Sequence, residues 1–315
     1  MKTPEYLKKG DTIAVVSTAR KISLQELQPS LEFIEKWGVK IVVGETIDSE
    51  EHQFAGSDDL RTKDFQRMLD DPKIKAIWCA KGGYGTVRII DKLDFSQFKK
   101  SPKWIIGYSD ITVLHSHIHN LGVETLHAQT LLGIENKTPE TGESIRNVLF
   151  GKEYSIFYNS RTEKKSEGDA SQKNTDPLPI LGTGKGELVG GNLSILYSLC
   201  GSNSAIKTDG KILFIEDLDE YLYHVDRMVM NLKRNGLLDN LAGLIVGGMT
   251  DMNDNTVPYG KSANEIVHDA VKEYNYPVCF NFPAGHIKDN RALIMGRAVE
   301  MDIHEKGVRV KFLKS

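Results

Sequence analysis

Four short apolar runs, separated by segments of helical period, constrain this chain more than any other feature. They are Asp11–Val16 (DTIAVV), Val39–Val43 (VKIVV), Ala76–Ala80 (AIWCA) and Trp104–Tyr108 (WIIGY). A strand buried on both faces reads as such a continuous run. Strands of this kind, separated by helices of about three turns, build a parallel sheet covered on both sides. The intervening segments carry helix signals. Ser23 with Glu26 forms a capping box ahead of Leu24, Leu27, Leu31 and Ile34, and Gly38 closes that helix. Ser57 caps a helix bearing Leu60, Phe65, Met68 and Leu69, with Asp58 and Asp59 at its positive end. The sequence predicts a doubly wound, mostly parallel α/β domain at the N-terminus.

The character changes after the midpoint. Tyr158–Asp176 has no large apolar residue beyond Tyr158 and no period, so it reads as an exposed connection. We therefore expect an N-terminal domain over 1–150, a connection over 151–185 and a smaller mixed α/β domain over 186–315. In that last part Gly190–Leu199 reads as a glycine turn into a helix. Lys211–Ile215 and Leu241–Val246 read as strands, Val225–Leu237 and Ile266–Tyr274 as helices, and Ala292–Leu313 as several short strands.

Composition excludes several classes. The net charge of −3 comes without a basic run, so no nucleic-acid footprint is present. No apolar stretch approaches the roughly 18–20 residues that span a bilayer, and the Thr12–Val16 run is too short for the apolar core of a signal peptide. Cys79, Cys200 and Cys279 are odd in number and lie among apolar neighbours, as buried free thiols in a reducing compartment do. The expected location is cytoplasmic.

Ligand sites of open α/β sheets lie beyond the carboxyl ends of the strands. Two segments qualify: Lys81–Gly85 (KGGYG) after AIWCA, and Gly107–Asp110 (GYSD) after WII. The glycine loop matches no nucleotide-binding fingerprint, so it reads as a tight turn, an oxyanion hole or a substrate shelf. Ser109 stands where a strand gives way to a helix. It is either a helix cap or a nucleophile held on an elbow. A serine nucleophile needs a base and a group to orient that base. Within HSHIH only His115 and His119 share a helix face, which makes a weak metal pattern and a better buried polar pair. His127 follows the apolar strand VETL. His286 sits in FPAGHIKDNRALIMG on a turn between apolar segments, a usual place for a catalytic group. Glu216 and Asp217 end the apolar run ILFI, and neighbouring strand residues face opposite ways, so periodicity leaves the choice between them open.

Taken together, KGGYG at 81–85, GYSDIT at 107–112, GELVGGNLS at 186–194, FIEDLDEYLYHVDRM at 214–228 and GHIKDNRALIMG at 285–296 resemble the LD-carboxypeptidase family of serine peptidases over almost the whole chain. The resemblance implies two domains with the active site between them, and a homodimer. It implies Ser109 as nucleophile, His286 as base and Glu216, rather than Asp217, as the orienting acid. The oxyanion hole falls to the backbone N–H groups of Asp110 and Gly83. Tyr84 and Asn192 are expected to touch substrate, with a helix cap as the competing role for Asn192. No metal or cofactor is implied. The reaction implied is release of the terminal D-alanine from a murein tetrapeptide at an L,D bond, during cytoplasmic wall recycling. The same family contains self-immunity peptidases that hydrolyse aminoacyl-adenylate antibiotics with a loop aromatic. Here Trp37, Trp78 and Trp104 all lie outside 151–185, where such a loop falls. A catalytically silent binding module on the same scaffold is the alternative from another class. One departure from the family is His127-Ala128-Gln129, where many members carry His-Gly-Pro.

Overall fold

The computed structural model describes residues 1–159 and 177–314. The chain divides into two units, Met1–Glu153 with Asp289–Gly296, and Tyr154–Lys288 with Arg297–Ser315, the second slightly the smaller. The first contains β1 (Thr12–Val16), α1 (Leu24–Glu35), β2 (Lys40–Val43), α2 (Asp58–Asp70), β3 (Ile74–Cys79), α3 (Ser96–Lys100), β4 (Trp104–Gly107), α4 (Thr112–Asn120), β5 (Thr125–His127) and α5 (Pro139–Leu149). The second contains β6 (Ser155–Tyr158), β7 (Gly182–Asn192), α6 (Leu193–Ser198), β8 (Ile212–Leu218), α7 (Leu222–Arg234), β9 (Gly243–Thr250), α8 (Ala263–Val271) and β10 (Val278–Cys279). Then β11 (Leu293–Met295) returns to the first unit, and β12 (Ala298–His304) and β13 (Gly307–Phe312) complete the second.

In the first unit the strands lie in the order β11-β5-β4-β3-β1-β2. The first five strands run parallel, and β11 adds an antiparallel edge to β5. This is a doubly wound sheet whose order reverses between β1 and β3, so a crevice forms beyond their carboxyl ends. Ile13 to Val16, Ile77, Trp78 and Ile105 are fully buried, as the apolar runs require. The capping box at Ser23 and the cap at Ser57 both form. VKIVV behaves differently: β2 is the outer strand, and Val42 and Val43 are 41% and 38% exposed. An edge strand has one neighbour, and its apolar side chains here are covered on one side only.

The second unit has a seven-stranded sheet in the order β10-β9-β8-β7-β12-β13-β6. Strands β7 to β10 are parallel, and β12, β13 and β6 continue antiparallel. Val225, Met228, Val229 and Leu232 share one face of α7 and are all buried, beside Ile266, Val267, Ala270 and Val271 of α8. Each large side chain removed from water this way contributes roughly 1.5–3 kcal/mol.

The expected connection over 151–185 differs from the structure at both ends. Residues 155–158 form β6 and pair with β13, and β7 begins at Gly182. Alternating side chains on these antiparallel strands carry a weaker apolar signal than a two-sided buried run. The stretch 160–176 lies outside the described residues. The expected domain over 186–315 also loses Asp289–Gly296 to the first unit. There β11 pairs with β5, the Asn290 N–H donates to Thr141 Oγ1 (3.0 Å) and the Ala292 N–H donates to Ser144 Oγ (2.9 Å). Gly190–Asn192, expected as a turn, is the end of β7.

Candidate active site

Strand β4 delivers Ser109 in a conformation that serine rarely adopts. Tyr108 is extended, and Ser109 then takes φ 64°. Among the described residues the other five non-glycine residues with positive φ are Asp48, His52, Asp219, Asp251 and Asn281, all types that tolerate the left-handed region. Serine has no such allowance, and a residue held there costs roughly 1–3 kcal/mol. Its hydroxyl caps neither the 3-10 turn Ser109–Ile111 nor α4. Ser109 is therefore not a helix cap, and a strained residue at a sharp strand-to-helix turn is the geometry that an elbow requires.

The glycine loop lies directly against this serine. A Cβ on Gly82 would sit 3.0 Å from Ser109 Cβ, 3.1 Å from its Oγ and 3.7 Å from the Asp110 nitrogen. The loop is fastened by buried polar groups. Asp110 Oδ2 accepts the Thr86 N–H at 2.9 Å, and Thr86 Oγ1 meets Thr18 Oγ1 at 2.8 Å. The Arg61 guanidinium, 1% exposed, donates to Thr18 O (2.7 Å) and Gly85 O (2.9 Å). Burial pushes the Asp110 carboxyl above its ordinary range, while its hydrogen bonds to Thr86 and the Arg61 charge oppose that shift. The Asp110 side chain secures the end of the glycine loop. Gly83 and Asp110 thus stand on a fixed frame around Ser109. Tyr84 is 45% exposed, with its ring 6.0 Å from that of Phe54.

The first histidine of α4, His115, is structural. His115 is buried between Thr125 Oγ1 (2.8 Å) and Gly107 O (2.9 Å), tying α4 to β5 and β4. Burial, then the neighbouring His127, push it down to about 3, so it is neutral. Among the described residues no group of three or more His, Cys, Asp or Glu is placed to hold a metal ion. The three cysteines are free, and burial pushes the thiols of Cys79 and Cys279 up to about 12.

In the second unit a β-bulge presents the acid. Ile215 pairs with Val246 and Asp217 with Met249, so Gly247 and Gly248 together oppose Glu216. A bulge of this kind re-aims the side chain opposite it. The His286 loop packs onto the bulge: the Gly248 N–H donates to Ala284 O (3.0 Å), and a Cβ on Gly247 would come within 2.4 Å of that oxygen. His286 Nδ1 lies 2.6 Å from Glu216 Oε2, and the His286 backbone N–H donates to the same oxygen at 3.1 Å. Glu216 is fully buried, while 13% of the His286 side chain is exposed. Gly285 turns the chain at φ 107°, and a Cβ there would sit 2.7–2.8 Å from Glu216 Oε2, Cβ and Cγ. Nδ1 is thus the ring nitrogen that meets the acid, and Nε2 is the opposite one.

Asp217 points the other way. It accepts the Asn192 amide (2.9 Å), the Ser194 N–H (2.8 Å) and the Leu218 N–H (2.9 Å). Burial first, then the Glu216 charge, push its carboxyl up to about 7. Of these two neighbouring acids, Glu216 is the one that meets His286. Asn192 takes the capping role, its Oδ1 accepting the Ile195 N–H at 3.2 Å and its amide held by Asp217. The residue is 4% exposed. The residues that sequence reasoning missed are Gly82, Arg61 and the Gly247-Gly248 bulge. The adjacent glycines in VGGMT were the signal for the last.

The chain matches the LD-carboxypeptidase N-terminal domain over residues 13–128 and the LD-carboxypeptidase C-terminal domain over residues 185–301. It is 37% identical to the probable murein peptide carboxypeptidase of Bacillus subtilis, over 96% of this chain and 92% of that one. It is 25% identical to the microcin self-immunity protein of Escherichia coli, over 96% and 93% of the two chains. The fold matches the crystal structure of muramoyltetrapeptide carboxypeptidase from Oxalobacter formigenes, with a TM-score of 0.83 at 23% identity, covering 96% of this chain and 99% of that one. With both domains matched and the 37% identical relative aligned over nearly its full length, the chain belongs to the LD-carboxypeptidase family.

Proposed function

We propose that this protein is a serine-type LD-carboxypeptidase that releases the terminal D-alanine of a murein tetrapeptide, with Ser109, His286 and Glu216 as one triad. The observation that carries the reading is the contact between His286 Nδ1 and the buried Glu216 carboxylate at 2.6 Å. A buried acid on Nδ1 fixes the tautomer and stabilises the imidazolium, which is the task of the third member of a triad. The φ of 64° at Ser109 supports the other half of the assignment. In the reaction His286 Nε2 takes the Ser109 Oγ proton as Oγ attacks the scissile carbonyl carbon. The imidazolium returns that proton to the amine of the departing D-alanine. Water, activated by the same nitrogen, then hydrolyses the acyl-enzyme and regenerates Ser109. The backbone N–H groups of Asp110 and Gly83 hold the oxyanion, and losing one such donor typically costs about 100–1,000-fold in rate. Tyr84 serves as a substrate contact. The family resemblance extends the proposal to a cytoplasmic homodimer, and no helix among the described residues is long and apolar enough to cross a membrane.

The identity to the murein peptide relative exceeds that to the self-immunity protein, 37% against 25%. The test gives the purified protein a murein tetrapeptide and, separately, an aminoacyl-sulfamoyl adenylate. D-Alanine release that persists in EDTA and disappears in Ser109→Ala is expected. Release of amino acid from the adenylate alone would refute the proposed substrate.

A further inference from the structure

A carboxypeptidase must distinguish a chain end from a chain interior, and the chemical mark of an end is a carboxylate. The glycine loop carries a cation placed for that mark. A Cβ on Gly83 would meet Arg20 Cδ at 2.6 Å, Cγ at 2.7 Å and Nε at 2.7 Å, so the Arg20 side chain lies across Gly83. The residue before it, Gly82, lies against Ser109 Oγ in the same unit. Consecutive Cα atoms are about 3.8 Å apart. In the substrate, the terminal carboxylate is likewise one residue beyond the scissile carbonyl. The offset from Ser109 to Arg20 along the loop therefore matches the offset from the reacting carbon to the carboxylate.

Arg20 is exposed and available. Its backbone is fixed by the Ser17 Oγ–H, which donates to Arg20 O at 2.6 Å, and by a bridge to Phe54. Among the described residues its guanidinium has neither an ion-pair nor a hydrogen-bond partner. The surrounding cations are engaged: Lys21 with Glu50 at 2.7 Å, Arg88 with Asp58 at 2.8 Å, and Arg61 with the carbonyls of Thr18 and Gly85. Lys81 lies in the field of Glu26. A planar guanidinium is also the side chain best suited to grip a carboxylate through two parallel N–H donors.

We infer that Arg20 binds the C-terminal carboxylate of the substrate and so restricts the enzyme to chain ends. The assignment rests on the reaction proposed above and names the determinant of its exopeptidase character. Its test compares a murein tetrapeptide ending in a free D-alanine carboxylate with the same peptide ending in D-alaninamide, for wild type, Arg20→Ala and Arg20→Lys. Wild type is expected to favour the acid. Arg20→Ala should lose roughly 10–100-fold in kcat/KM on the acid, mainly through KM, and change little on the amide. Arg20→Lys should recover part of the loss on the acid. Equal losses on acid and amide, or an Arg20→Ala enzyme with wild-type KM for the acid, would overturn the assignment while D-alanine release still upheld the reaction. A wild-type enzyme that released no D-alanine would overturn the reaction and the assignment together.

Discussion

Replacing Gly82 by alanine tests the contact on which the nucleophile's placement depends. The added methyl would lie 3.0 Å from Ser109 Cβ and 3.1 Å from Oγ. Ordinary carbon–carbon contact begins near 3.5 Å, so something must give by about half an ångström. Ser109 is poorly placed to yield without consequence, because its φ of 64° already holds it in a strained turn. Overpacking of this size costs about 1 kcal/mol at its low end. Loss of glycine freedom from the unfolded chain returns about 0.4–1 kcal/mol, so the two effects nearly cancel in stability. Catalysis has no such compensation, since a misplacement of order 1 Å can cost about 100-fold. Gly82→Ala should therefore unfold within a few degrees of wild type yet release D-alanine roughly 10–100 times more slowly, chiefly through kcat. Steady-state kinetics beside thermal unfolding separates the two effects. A variant with wild-type kcat and wild-type stability would show that the loop does not constrain the nucleophile, and the reasoning would fail.

Four further outcomes follow from the same geometry. Glu216→Gln preserves volume but removes the charge beside His286, and D-alanine release should fall roughly 1,000–10,000-fold with little change in KM. Gly285→Ala places its Cβ 2.7–2.8 Å from three atoms of Glu216 at a φ of 107°, so chemical denaturation should show a loss of roughly 2–5 kcal/mol. Arg61→Leu leaves the Thr18 and Gly85 carbonyls without their donor and should lower stability by about 3 kcal/mol, measured the same way. The Asp217 carboxyl moves from 3.8 in the unfolded chain up to about 7 on folding. The folded state thus holds the proton more tightly, and stability is lost as pH rises from 4 to 7. Relative to Asp217→Asn, wild type should lose up to about 4 kcal/mol across that window, and parallel pH profiles would contradict the shift.

The first unit was legible because its central strands β1, β3 and β4 are buried on both faces, and continuous runs such as AIWCA and WII leave few other readings. The return of β11 to that unit was hidden, because it depends on long-range contacts of Asn290 and Ala292 with Thr141 and Ser144. Strand β6 was hidden for a different reason: Ser155 and Phe157 are exposed, and Ile156 alone on it is buried. At the site, local pattern alone left Ser109 as either a helix cap or a nucleophile. The family resemblance pointed to the nucleophile, and the structure adds backbone strain and a missing cap bond, neither of which a residue string records. Glu216 and Asp217 are equivalent by periodicity, and the bulge at Gly247-Gly248 sends just one of them to His286. The capping role of Asn192 was likewise open until its Oδ1 was found accepting the Ile195 N–H.

A double-mutant cycle in kcat/KM for D-alanine release measures directly whether Ser109 and His286 act as one machine. Residues of a triad fail together, so removing the second costs little once the first is gone. The cycle compares Ser109→Ala, His286→Ala and the double variant with wild type. Each single variant should lose on the order of a thousandfold or more, and the double variant should be no slower than Ser109→Ala alone. Losses that multiply in the double variant would mean that the two residues act independently, and the triad would have to be abandoned.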